Sequence, residues 1–177
     1  MQTALDAITG KINLRVPFVE LIDLANEKVG GKVLFTNDDF FAEKENLVKA
    51  STPVFLVDKY TDNGKWMDGW ESRRKREPGY DHCIIQLGLA GEIHGVNIDT
   101  AFFTGNHPEY ASVDACEMPK DATLDQIKNA KWKEILSKSS LQGGTSNYFA
   151  VADRARYTHL RLNIYPDGGV ARLRVHG

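Results

Sequence analysis

The stretch Gly64-Lys65-Trp66-Met67-Asp68-Gly69-Trp70-Glu71-Ser72-Arg73-Arg74 gathers two indoles, two carboxylates and three cations. Together these residue types could bind and process a small polar molecule. Aromatic walls exclude water, cations pair with a ligand anion, and carboxylates accept N–H groups or move protons. Asp62-Asn63-Gly64 precedes the stretch and Pro78-Gly79 follows it, so it reads as a loop held against a scaffold. The structural alternative is an ion-paired loop pinned by two core tryptophans.

Two further loops carry similar chemistry. Phe35-Thr36-Asn37-Asp38-Asp39-Phe40-Phe41 sets adjacent carboxylates between aromatics. Such residues ordinarily cap a helix start, and they supply a general acid or base where burial raises a pKa. Phe102-Phe103-Thr104-Gly105-Asn106-His107-Pro108 ends an extended run, and His107 before a proline reads as an exposed, idle histidine. His82, His94 and His159 read as strand-face residues. A metal site from Asp81, His82 and His94 has no diagnostic spacing. The sequence has no CxxC pair, no HExxH and no Gly-rich phosphate loop, so no metal and no cofactor is expected.

The elements that must position these loops are mostly strands. In His82 to Leu89, the residues Cys83, Ile85, Leu87 and Leu89 share one face at period two. Gly91 breaks that run and Ile93 to Ile98 resumes it. Tyr110–Cys116, Trp132–Leu136 and Tyr148–Val151 are also strand-like. Thr123-Leu124-Asp125-Gln126 matches a capping box opening a short helix toward Ala130. Val19–Val29 and Asp39–Lys49 each have room for a helical turn or two. Short strands with frequent turns indicate an all-β fold, a jelly-roll β-sandwich with a few short helices.

The C-terminal pattern predicts a hairpin. Leu160, Leu162 and Ile164 alternate with polar residues, as do Ala171, Leu173 and Val175 after Pro166-Asp167-Gly168-Gly169. With Asp167-Gly168 at the tip, Ile164 faces Ala171, Leu162 faces Leu173 and Leu160 faces Val175. Arg161 then lies opposite Arg174, a like-charge pair that needs an anion to offset it, with internal carboxylates the favoured source.

Composition narrows the function classes. The 177 residues fit one domain over 1–177, with 1–17 as an N-terminal extension. The formal net charge of -2 argues against a nucleic-acid binder, and Arg73-Arg74-Lys75-Arg76 is the one dense basic run, flanked by Glu71 and Glu77. No stretch reaches transmembrane length, and Met1 to Val16 lack a signal-like apolar run, so no membrane association is expected. Cys83 and Cys116 read as reduced, buried thiols of a cytosolic protein.

At four places the chain resembles a known family. The loops Lys32–Glu43, Gly64–Glu71, Phe102–Asn106 and Arg161–Arg172 resemble, in order, those of the allantoicase repeat, and the likeness spans Phe18 to Gly177. It implies a jelly-roll related to galactose-binding and discoidin-like modules. It also implies a cytoplasmic enzyme of purine degradation that hydrolyses allantoate to ureidoglycolate and urea. Allantoicase usually carries two tandem copies of this domain and this sequence holds one. A homo-oligomer replacing the missing copy is expected, and a single-repeat relative of different activity or a domain cut at its boundary is the alternative.

Allantoate carries one carboxylate and two ureido groups on a single carbon. Arg73, Arg161 and Arg172 are candidates for its carboxylate, with Lys65 as a point charge and Trp66, Trp70 and Asn106 completing the binding set. Asp38, Asp68 and Glu71 are the candidate catalytic carboxylates. Loss of urea needs an acid on the leaving nitrogen and a base on water, roles that paired carboxylates divide when their pKa values are pushed apart. The competing class is a non-catalytic jelly-roll module binding a small polar or anionic ligand.

Overall fold

The computed structural model describes residues 16–177, so the expected extension over 1–17 lies, but for its last two residues, outside the described residues. The strands in chain order are β1 (Lys32–Thr36), β2 (Tyr60–Thr61), β3 (Gly64–Lys65), β4 (Trp70–Glu71), β5 (Asp81–Glu92), β6 (Gly95–Asp99) and β7 (Tyr110–Cys116). The helix α1 (Leu124–Lys128) precedes β8 (Lys133–Ser140), β9 (Ser146–Ala150), β10 (Arg156–Tyr165), β11 (Gly169–Val170) and β12 (Arg172–His176). A five-stranded sheet in the order β1-β5-β10-β7-β8 stacks on a three-stranded sheet in the order β12-β6-β9, giving the expected jelly-roll sandwich.

Period-two alternation builds the core between these sheets. Cys83, Ile85 and Leu87 of β5, Val113 of β7 and Leu160, Leu162 and Ile164 of β10 meet Val96, Ile98, Leu173 and Val175 from the other sheet in one buried cluster. Each such aliphatic side chain contributes roughly 1.5–3 kcal/mol through its burial. Leu89 leaves this face and is exposed, and β5 continues through Gly91 to Glu92 rather than breaking there. α1 carries the expected capping box, with Thr123 accepting from the Gln126 N–H and Gln126 accepting from the Thr123 N–H. The other two helical tracts shrink to 3-10 turns at Glu27–Val29 and Lys44–Val48. Both cysteines are free and buried, and burial pushes both thiols up, Cys116 to about 11, which leaves neither as a nucleophile.

The C-terminal hairpin does not form. β10 is a central strand with both edges taken, by β5 on one side and β7 on the other, so no edge remains for β12. After Tyr165 the chain crosses to the second sheet, pairs briefly as β11 with β4, and continues as β12 beside β6. The two apolar faces therefore meet across the core instead of side by side. Arg161 and Arg174 are not opposed. Arg161 bonds Asp114 at 2.9 Å and Arg174 lies 3.5 Å from Asp23, so each arginine has its own internal carboxylate.

The crossing passes closely over its neighbours. A Cβ on Gly169 would lie 2.0 Å from the ring of Phe103, which is fully buried and cannot retreat. Gly169→Ala is expected to cost about 1–3 kcal/mol through overpacking. An unchanged denaturant midpoint at constant m-value would contradict this.

Candidate active site

The loop that follows β3 enters the sandwich edge at β4. Trp70 pairs with Val170 and Glu71 with Gly169, while Ala42 bridges Glu71 on the other side. Strand alternation then separates the neighbours. Trp70 turns inward, is fully buried, and donates its indole N–H to the Asp38 carbonyl at 2.8 Å. Glu71 turns outward into a cleft of about 520 Å³ lined by Phe41, Arg74, Lys75, Asn106, His107 and Asp167, among others.

Three segments far apart in sequence close this cleft. The Ser72 N–H donates to the Gly168 carbonyl at 3.1 Å, and the Lys75 N–H donates to Asp167 Oδ2 at 2.8 Å. A Cβ on Gly168 would come within 2.7 Å of the Asn106 carbonyl oxygen, and its φ of 130° favours glycine, so the crossing can lie flat against the Asn106–Pro108 segment. Asn106 in turn donates its amide N–H to Glu71 Oε2 at 2.8 Å. Lys75 is tied by its ammonium to the fully buried Asp81 at 2.8 Å, which also accepts from Asn37 at 2.9 Å.

The electrostatics single out one carboxyl. Burial pushes Glu71 above the ordinary glutamate value of 4.5, and the Asn106 bond opposes this only in part. Asp38 is shifted the other way. Burial raises it, but bonds from the Phe40 N–H and from the backbone and guanidinium of Arg73 outweigh that and hold it below 3.8. His107 Nδ1 lies 3.1 Å from the Thr104 carbonyl oxygen, which can only accept. In the neutral ring Nδ1 therefore carries the hydrogen and Nε2 is the acceptor.

The ten residues singled out in the sequence divide sharply. Glu71 and Asn106 share the cleft. Asp38 and Arg73 bond each other at 3.0 Å in an adjoining cleft of about 540 Å³ that shares Arg74 and Lys75 with the first. Asp68 and Arg172 form an interior ion pair at 2.9 Å, and Trp70 belongs to the core, so none of these three forms a cleft wall. Lys65 donates to the carbonyls of Leu56 and Val57, and Trp66 lies under the Lys59 ammonium, 4.2 Å from its ring centroid. Arg161 lies on the outer face of the five-stranded sheet, 4.8 Å from the Trp132 ring. The cleft residues that sequence reasoning missed are Arg74, Lys75, His107 and Asp167. Their signal was membership in the same unusual loops, outweighed there by the ordinary readings of a basic run and a histidine before proline.

A larger cleft of about 710 Å³ lies toward the other ends of β5, β7 and β10. Its carboxylate, Glu117, is engaged by Arg156 at 2.5 Å. The smaller cleft is the one that holds Glu71 and Asn106.

Comparison with known proteins identifies the family. Residues 22–177 match the family profile described as the allantoicase repeat. The chain is 54% identical over 160 residues to a probable allantoicase of Photobacterium profundum, covering 90% of this chain and 48% of that one. It is 48% identical over 162 residues to a probable allantoicase of Pseudomonas fluorescens, covering 92% and 48%. The crystal structure of the allantoicase from Saccharomyces cerevisiae superposes with a TM-score of 0.77 at 34% identity, covering 98% of this chain and 52% of that one. The CBM32-3 module of a family 31 glycoside hydrolase from Clostridium perfringens shares the fold at 13% identity, with a TM-score of 0.60, over 94% and 99% of the two chains. The chain thus spans about half the length of the relatives it matches.

Proposed function

This chain belongs to the allantoicase family, and from that membership we propose that it hydrolyses allantoate to ureidoglycolate and urea, a cytoplasmic step of purine degradation. The proposal includes the reading of residues 1–177 as one repeat domain that works in company with a second copy. The observation that carries the chemistry is Glu71, a carboxyl raised by burial and oriented by Asn106 in a cleft bordered by cations.

Each cleft residue takes a role its bonding leaves available. Arg73 is engaged by Asp38 and Lys75 by Asp81, which leaves Arg74 to receive the substrate carboxylate. Asp167 is the acceptor for ureido N–H groups, and Phe41 supplies the apolar wall. Water attacks the central carbon as the bond from that carbon to one ureido nitrogen breaks. The nitrogen leaves with the bonding pair and takes the Glu71 proton, and His107 Nε2 takes the proton released by the water. The products are ureidoglycolate and urea, with charge and atoms balanced.

The test is urea release from allantoate by the purified chain. Urea with ureidoglycolate as co-product is the expected result. Thermal stabilisation by allantoate without urea would replace the enzyme with a binding module, and neither response would end both readings.

A further inference from the structure

Phe41 borders not only the cleft of Glu71 but also a further cleft of about 320 Å³. Two of the loops singled out in the sequence build it, and the reaction uses neither of their contributions here. Phe41 and Trp66 supply aromatic wall, Asp39 and Glu43 supply carboxylates, and Asn46 and Asn63 supply amides. No lysine or arginine lines this cleft, whereas Arg74 and Lys75 line the one that holds Glu71. The two neighbours therefore have opposite polarity.

The amide donors are used within the protein. Asn46 gives an N–H to the Gly69 carbonyl at 2.9 Å, and Asn63 gives one to the Phe40 carbonyl at 2.9 Å. Acceptors are what remain. Asn46 is 3% exposed, and its Oδ1 is buried with no hydrogen-bond partner among the described residues. Turning the amide over would not help, because the Gly69 carbonyl requires the N–H. Asp39 receives the Lys44 backbone N–H at 3.3 Å, and neither Asp39 nor Glu43 has an ion-pair partner among the described residues. The cations beside these loops are committed already: Lys44 to Glu45, Arg73 to Asp38, and Lys59 to the Trp66 ring.

We propose that this cleft binds a small organic cation carrying a guanidinium group. Its N–H edges meet Asp39, Glu43 and Asn46 Oδ1, and its flat face lies against the aromatic wall. Each part of the site asks for one property of that ligand. Two unpaired carboxylates ask for positive charge. A buried acceptor without a partner is costly, and a ligand N–H relieves it. Aromatic walls favour a planar, weakly hydrated cation over a compact, strongly hydrated ammonium. A divalent metal ion is a poorer fit, since no three His, Cys, Asp or Glu side chains gather as ligands among the described residues. The ligand has the opposite charge to allantoate, so the inference stands without the hydrolysis reading.

The experiment titrates the 177-residue chain with methylguanidinium chloride, in the absence of allantoate, and follows amide and indole resonances by NMR. The Asn46 side-chain amide and the Trp66 indole N–H are expected to shift and saturate with a Kd of ~1 mM or tighter. Methylurea has the same shape without the charge, and sodium chloride has the charge without the shape. Both are expected to leave those resonances in place at equal concentration. Asp39→Asn and Glu43→Gln, made singly and together, keep the side-chain size, and the double variant is expected to raise the Kd at least ~10-fold with an unchanged circular dichroism spectrum. The wild-type comparison of the three solutes needs no variant. Shifts that never saturate, equal shifts with methylurea or sodium chloride, or a Kd indifferent to both substitutions would overturn the proposal.

Discussion

Asp68→Ala is expected to destabilise the protein by about 3–5 kcal/mol. Arg172 is fully buried, and its guanidinium bonds Asp68 Oδ2 at 2.9 Å, the Asp68 carbonyl at 3.2 Å and the Ser51 carbonyl at 3.0 Å. Removing the carboxylate leaves a buried cation with only carbonyl dipoles around it. The Val54 N–H, which donates to Asp68 Oδ2 at 3.1 Å, loses its acceptor as well. The sign with pH follows from the carboxyl. Burial pushes the Asp68 pKa up, but the bonds from Arg172 and Val54 outweigh this and hold it below the ordinary 3.8. Its contribution is therefore complete above that value and lost as pH falls through the depressed folded-state pKa. Thermal melts at pH 7 and along an acid series check both parts, and a D68A melt matching wild type would show that the pair adds nothing. Activity lost in this variant would follow from unfolding, not from a missing acid or base.

Glu71→Gln is the opposite case: turnover of allantoate should fall about 10²–10⁴-fold while the fold persists. Glutamine keeps an oxygen for the Asn106 amide N–H, so the cleft geometry survives without a transferable proton. Stability should not suffer at neutral pH. A carboxyl raised above 4.5 favours the protonated folded form, so folding loses stability as pH rises from 4.5 through the raised value, and glutamine escapes that loss. The wild-type rate should decline through the same interval, because the acid must start protonated, and E71Q should lack that limb. Normal turnover by a folded E71Q protein would remove Glu71 from the chemistry. A rate profile flat across the interval would assign the proton to another group.

Strand periodicity, the capping box at Thr123 and Gln126, and the family likeness of the end loops were all legible in the linear sequence. Both Glu71 and Asn106 stand among the candidates drawn from those loops, and the folded chain brings the two into one cleft. The error at the C-terminus shows the limit. Leu160 to Val175 has a valid two-strand pattern, yet the same pattern serves two strands facing each other across a sandwich, because both must turn an apolar face to one interior. Nothing local distinguishes lateral pairing from stacking.

Side-chain roles divide along the same line. Residue types and their spacing along ten or twenty positions determined the elements, the turns and the polar loops of this protein. Only the folded chain decided that Asp68 would meet Arg172, 104 residues away, that Trp70 would serve the core, and that Glu71 alone among the candidate carboxyls would be pushed toward protonation. A pKa or an ion pair is set by what surrounds a group in space. Desolvation and charge–charge interaction come from neighbours brought together by the sheet crossings, and those neighbours are written nowhere near the group in the sequence.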